Sequence, residues 1–76
     1  MLSIIVPAFN EGSRIYDNLK IISSALSGFT DDYEIIAVND GSSDNTGDEI
    51  RRAASEDSRI IPAGYEQNLE HYVIAE

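Results

Sequence analysis

The sequence predicts an α/β fold on a parallel sheet, and three observations carry that expectation. Three short apolar runs, LSIIV, YEIIAV and RIIPA, stand in chain order with helical patterns between them. The first two show no regular polar alternation, the mark of strands covered on both faces. The spacers are long enough for a crossover helix, which is what joins parallel neighbours.

The first strand is expected over Leu2 to Val6, ended by Pro7. Asn10 can cap a helix in which Ile15, Leu19, Ile22 and Leu26 recur at steps of four, three and four, giving one apolar stripe. Gly28 stands where a C-terminal cap is expected, and Thr30-Asp31-Asp32 makes the loop. Tyr33 to Val38 reads as the second buried strand. Ser43 or Asp44 caps a weaker helix over roughly residues 46–56, with Ile50, Ala53 and Ala54 on its apolar side. Arg59 to Ala63 is a short third strand, and Pro62 suits an edge position. The tail, Glu66 to Glu76, is open: Leu69, Tyr72 and Val73 suit a helix face, while Tyr72-Val73-Ile74 suits a strand. Two βαβ units with right-handed crossovers imply a three-layer, Rossmann-like parallel sheet in the order β-α-β-α-β. No repeat or linker divides residues 1–76.

Composition narrows the function classes. A chain of 76 residues makes one small domain or part of a larger one, and at that size it buries only about 60–65% of its unfolded surface. Fourteen acidic residues against five basic ones give a net charge of −9, which repels nucleic acid and anionic membranes as direct partners. With no cysteine there is neither a disulfide framework nor a thiolate metal site. The apolar stretches are too short to span a bilayer. The opening MLSIIVPAFNE has no basic region and meets proline at position 7, unlike a signal peptide. A cytoplasmic location is expected, with membrane association left open for a longer parent.

Two stretches carry the chemistry. In an open parallel sheet, ligands bind beyond the carboxyl ends of the strands, where helix N-termini also point. Pro7-Ala8-Phe9-Asn10-Glu11 follows the first strand and Asn39-Asp40-Gly41-Ser42 follows the second, so adjacent strands would bring them to one rim. A carboxylate there cannot bind phosphate directly. It can accept from a base N–H or ribose hydroxyls, or hold a divalent cation. Gly41 permits a sharp turn and close approach of a flat ligand. The plainer reading is that D-G-S-S-D makes a loop and cap, that Asn10 is an ordinary N-cap, and that Glu11 answers the helix dipole. The pairing of both stretches on one rim favours a site.

Other chemistries are not visible. Neither GxGxxG after the first strand nor GxxxxGK[ST] occurs, and no serine lies in GxSxG. His71 stands in the tail without a ligand pattern. Tyr16, Tyr33, Tyr65 and Tyr72 read as packing residues, and Arg51-Arg52 as a solvated helix face beside Glu49 and Glu56.

Taken together, SIIVPAFNEGSRI and YEIIAVNDGSSDNT resemble the N-terminal segment of the family-2 inverting glycosyltransferases, whose domain has the GT-A fold. The family patterns P-x-[YF]-N-E and [VI]-[DN]-D-G-S-x-D-x-T both match, and the resemblance covers residues 2 to about 61. It implies a nucleotide-diphosphate sugar, with UDP or GDP, bound by residues 1–76 as the N-terminal half of a larger domain. Pro7 and Ala8 would line the nucleoside pocket, with Asn10 beside them and Glu11 near base or ribose. Asp40 would accept from the base N–H, and Gly41 and Ser42 would shape that wall. Asn39 replaces the more frequent aspartate and ranks below Asp40. The N-D-G-S-x-D-N-T variant is similar to members that transfer hexoses to polyprenyl phosphates, though a saccharide acceptor stays open.

The resemblance also implies Mg2+ or Mn2+ for the full enzyme, held by a D-x-D motif that this chain lacks. The general base lies further on in the family, so no catalytic residue is assigned here and no turnover is expected of the chain alone. The family's N-x-G-K-G loop is altered as well: Asn68 matches, but Leu69-Glu70-His71 follows. The reading is a fragment or truncated copy. Two alternatives are a non-catalytic remnant, acting as weak nucleotide binder or oligomerising module, and a receiver-like signalling domain. The receiver reading needs an acidic pair after the first strand, where Asn10-Glu11 supplies one acid. Without a fourth strand, the run 2–6 would lie on an edge, which predicts homo-oligomers through it.

Overall fold

The computed structural model describes residues 1–65, and the expectations for the tail lie outside them. The elements are β1 (Leu2–Ala8), α1 (Ile15–Ser27), β2 (Tyr33–Asp40), α2 (Thr46–Glu56) and β3 (Ile60–Tyr65). The strands form a parallel sheet in the order β1-β2-β3, with Ile4 opposite Ile35 and Ile35 opposite Ile60. Both crossovers step in the same direction across the sheet, so right-handedness places both helices on one face. They pack on each other there. The described residues thus supply a sheet and one helical layer of the expected α/β architecture.

The core lies between them. Val6 and Ala8 of β1, Tyr33, Ile35 and Ala37 of β2, and Ile60 of β3 meet Ile15 and Leu19 of α1 and Ile50 and Ala53 of α2. Ile22, Leu26 and Ala54 complete the helical stripes half-buried. At the far rim the buried Ser23 and Tyr33 hydroxyls lie 2.8 Å apart, and Ser23 donates to Asp57 at 2.5 Å. On the outer helix surface Arg52 stacks 3.5 Å from the Tyr16 ring centroid, and Lys20 pairs with Glu56. No helix among the described residues is long and apolar enough to cross a membrane.

Three local expectations are corrected. β1 runs through Pro7 to Ala8 instead of stopping at the proline. Leu2 N–H donates to Asp32 O at the start of β2, and in a parallel pair alternate residues face the neighbour. Pro7 therefore faces outward, where its missing N–H costs no ladder bond. By the same alternation, Ile35 N–H donates to Arg59 O, so Pro62 also faces outward, at the β3 edge its proline suggested.

Second, β1 is not buried on both faces: Leu2 and Ile5 are 38% and 43% exposed. The expectation holds for β2, where Ile35, Ile36, Ala37 and Val38 are all buried. An all-apolar run marks either a central strand or an edge awaiting cover, and β1 is the second kind.

Third, Asn10 does not cap α1, whose N-cap position is Arg14 without a side-chain cap bond. A turn closed by Glu11 O, accepting from Arg14 N–H and Ile15 N–H, leads into the helix instead. Gly28 does sit at the α1 C-cap, but with φ −77°, so its left-handed freedom goes unused. Before α2 the residue that bonds a helical N–H is Asp44, through Thr46, and not Ser43.

Candidate functional site

The register Ala8↔Asn39 ends β1 and β2 side by side, so both strand-end stretches occupy one rim, as their spacing predicts. Their contact is closer than adjacency requires. Asn10 N–H donates to Ser42 Oγ at 2.9 Å, Glu11 N–H to Thr46 Oγ1 at 2.8 Å, and Gly12 N–H to Asp44 Oδ2 at 3.0 Å. In return Ser43 N–H donates to Asn10 Oδ1 at 2.9 Å. Three successive amides of one loop are therefore satisfied by side chains of the other.

Local chemistry explains why the chain can do this. Asn10 stands at φ 51°, a left-handed conformation that asparagine tolerates better than most residues. Gly41, at φ 72°, makes the sharp turn expected of it and is buried. Gly12 was not singled out from the sequence, yet a Cβ there would lie 1.8 Å from Asn45 Oδ1 and 3.1 Å from Asp44 Oδ2. Asp44 Oδ1 accepts from Thr46 N–H at 3.0 Å and from the Thr46 hydroxyl as well. The Thr46 hydroxyl, then the Gly12 and Thr46 amides, hold the Asp44 carboxyl below its ordinary 3.8.

The eight expected residues divide by face. Side chains alternate along a strand, so Ala8 and Asn39 lie on the helix face while Pro7, Val38 and Asp40 lie on the other. Ala8 is 1% exposed inside the core, which leaves only its backbone for a ligand. Asn39 is committed to the fold: its Oδ1 accepts from Ser42 N–H at 3.2 Å, and its backbone touches Gly64. Asn10 and Ser42 spend their side-chain oxygens on the loop-to-loop bonds. Pro7 is exposed, Glu11 and Asp40 are half-buried, and the Glu11 carboxylate meets no hydrogen-bond or ion-pair partner among the described residues. Phe9, 58% exposed between Ala8 and Asn10, is a rim residue outside the expected set. Its signal was an aromatic placed just past a strand end.

Gly12, Asp44 and Thr46 are the other omissions. Each has an ordinary local explanation in sequence, as helix-start glycine, cap and first helical residue, and their shared role depends on a contact across the rim. No three acidic or histidine side chains among the described residues form a group able to hold a metal ion. The donor set at this rim does not fit the divalent cation that the resemblance implies for the whole enzyme.

Comparison with known proteins finds transferases of similar sequence. The chain is 36% identical over 62 residues to an undecaprenyl-phosphate 4-deoxy-4-formamido-L-arabinose transferase of Serratia proteamaculans, covering 82% of this chain and 19% of that protein. The protein of the same name from Yersinia enterocolitica is 41% identical over 61 residues, covering 79% of this chain and 19% of its own length. Glycosyltransferase AglD of Haloferax volcanii is 34% identical over 61 residues, covering 78% of this chain and 10% of that protein. The chain thus spans about a fifth or less of the length of these curated relatives. No solved structure matches. Residues 3–72 match the family described as glycosyl transferase family 2, and the chain belongs to that family.

Proposed function

We propose that residues 1–76 are the nucleotide-binding part of a transferase that moves a sugar from a UDP- or GDP-linked donor to a polyprenyl phosphate. One observation carries the reading: two strand-end loops, distant in sequence, are laced together at the rim where open parallel sheets bind ligands, with Pro7, Phe9, Glu11 and Asp40 beside them. Asp40 would accept from a base N–H, Glu11 would meet base or ribose, and the exposed Phe9 ring would offer a flat apolar contact. The acceptor class rests on the relatives named for undecaprenyl phosphate, and a lipid-borne acceptor would bring the parent to a membrane surface.

Chemistry beyond binding needs groups this chain does not supply. In the family a divalent cation, Mg2+ or Mn2+, neutralises the diphosphate, and a separate base takes the acceptor proton. Each such contribution is worth orders of magnitude in rate. The chain alone is therefore a binder without turnover, and a weak one, because its charge of −9 opposes a diphosphate.

Titration with UDP and GDP, followed by backbone amide shifts, tests this. Shifts are expected at residues 7–11 and 40–42, and Asp40→Ala should weaken binding by about 1.5–3 kcal/mol, the usual loss for a charged acceptor. The same sample given UDP- or GDP-sugars should release no free sugar above buffer. Equal affinity in Asp40→Ala would remove that residue from the site, and no shifts with either nucleotide would remove the reading.

A further inference from the structure

We infer that Asp44 and Thr46 are positioning residues of the nucleotide site, acting through the backbone of Asn10, Glu11 and Gly12. The inference rests on the nucleotide reading above and extends it to residues that touch no ligand. Thr46 opens α2, where a hydroxyl would ordinarily meet solvent, yet it is 0% exposed. Its oxygen accepts from Glu11 N–H at 2.8 Å while its proton goes to Asp44 Oδ1. Both functions of a buried hydroxyl are thereby used, and the side chain becomes a strut between the loops.

Asp44 completes the strut. Oδ2 takes Gly12 N–H and Oδ1 takes Thr46 N–H, each at 3.0 Å, so one carboxylate joins the β1 loop to the first turn of α2. Gly12 sits close under the Asn45 and Asp44 side chains, where a Cβ would make Asn45 turn aside. Three consecutive backbone N–H groups could have cradled a phosphate. Here they are taken up by Ser42, Thr46 and Asp44. The loop's role toward a nucleotide is therefore to hold Glu11 against the Asp40–Ser42 turn, not to receive the diphosphate.

The variants separate positioning from mere stability. Thr46→Val keeps the shape but leaves the half-buried Glu11 N–H without its acceptor; Thr46→Ser keeps the hydroxyl. Asp44→Asn replaces one accepting oxygen with a donor that opposes Gly12 N–H. UDP and GDP are titrated against each, with amide shifts recorded before and after. The expected result is about a tenfold or greater loss of affinity in Thr46→Val and Asp44→Asn. Their sheet amides should be unchanged and their Glu11 and Gly12 amides displaced, and Thr46→Ser should return to near wild-type binding. If Thr46→Val does not fold, Asp44→Asn against Thr46→Ser decides on the same terms. A folded Thr46→Val or Asp44→Asn that binds like wild type overturns this inference alone. Absence of binding in wild type overturns the nucleotide reading, and the inference with it.

Discussion

Asp44 accepts from Gly12 N–H and from both the amide and hydroxyl of Thr46, and this sets how the rim responds to acid. Its carboxyl is held below its ordinary 3.8 by those donors. A group whose folded value is depressed contributes stability above its unfolded value and loses that contribution as pH falls through the folded one. Asp57 behaves alike, with the Ser23 hydroxyl as the largest cause. The Asp44 latch should therefore be closed at neutral pH and open only below the ordinary carboxylate value of 3.8. Following the Gly12 amide shift by NMR at about 0.15 M salt, where long-range surface repulsion is screened, checks this. The midpoint is expected below 3.8, and a midpoint at or above it would show that the carboxylate is not held by these bonds. Such a role is not legible locally. D-x-T before a helix reads as a cap, and nothing near Asn10 in sequence announces an acceptor for the amide of Ser43.

At the scale of elements, much of the fold was legible. α2 and the start of β2 fall where the pattern places them, because turn residues and apolar period agree there. Burial of β1 departs from the expectation for a physical reason: an apolar run records what a strand is built to meet, and β1 meets the helices and β2 but no outer neighbour among the described residues. The β2–β3 pairing hides a further constraint. Gly64 stands opposite Asn39 at φ 117°, and a Cβ there would lie 2.3 Å from Asn39 O and 2.7 Å from Asn39 N. Because the obstacle is backbone, no rotamer can relieve it. Gly64→Ala should destabilise the chain by at least about 1–3 kcal/mol from conformation alone, and should disturb Asn39 at the base of the site. Gly28→Ala makes the control, since φ −77° suits alanine and its nearest other atom is 3.7 Å away. It should be neutral or add up to about 1 kcal/mol. Urea midpoints of the two variants decide, and equal midpoints would mean the strand can shift to admit the methyl.

At the scale of the whole molecule, the described residues form a sheet with an apolar edge in a chain of net charge −9. Alternation along β1 turns Ser3, Ile5 and Pro7 away from β2, so the N–H groups of Ser3 and Ile5 have no ladder partner among the described residues. Leu2 and Ile5 expose apolar surface beside them. An extended, apolar, unprotected edge is a template for another strand. The β3 edge is poorer, because Pro62 faces outward and offers no donor there. Two copies meeting through β1 would join their sheets and cover Ile5. Opposing this is the charge of −9 on each copy. Repulsion between separated surface charges fades once the Debye length shrinks, from about 30 Å at 0.01 M salt to about 8 Å at 0.15 M, whereas edge hydrogen bonds and apolar contact do not weaken. Association should therefore strengthen as salt rises, the reverse of an assembly held by ion pairs. Ile5→Lys, which places a like charge on the edge of each copy, should abolish it while leaving the helix-face core untouched. Sedimentation of wild type and Ile5→Lys at low and high salt distinguishes the cases. A wild-type chain that stays monomeric at micromolar concentration in both salts would show that the edge is protected.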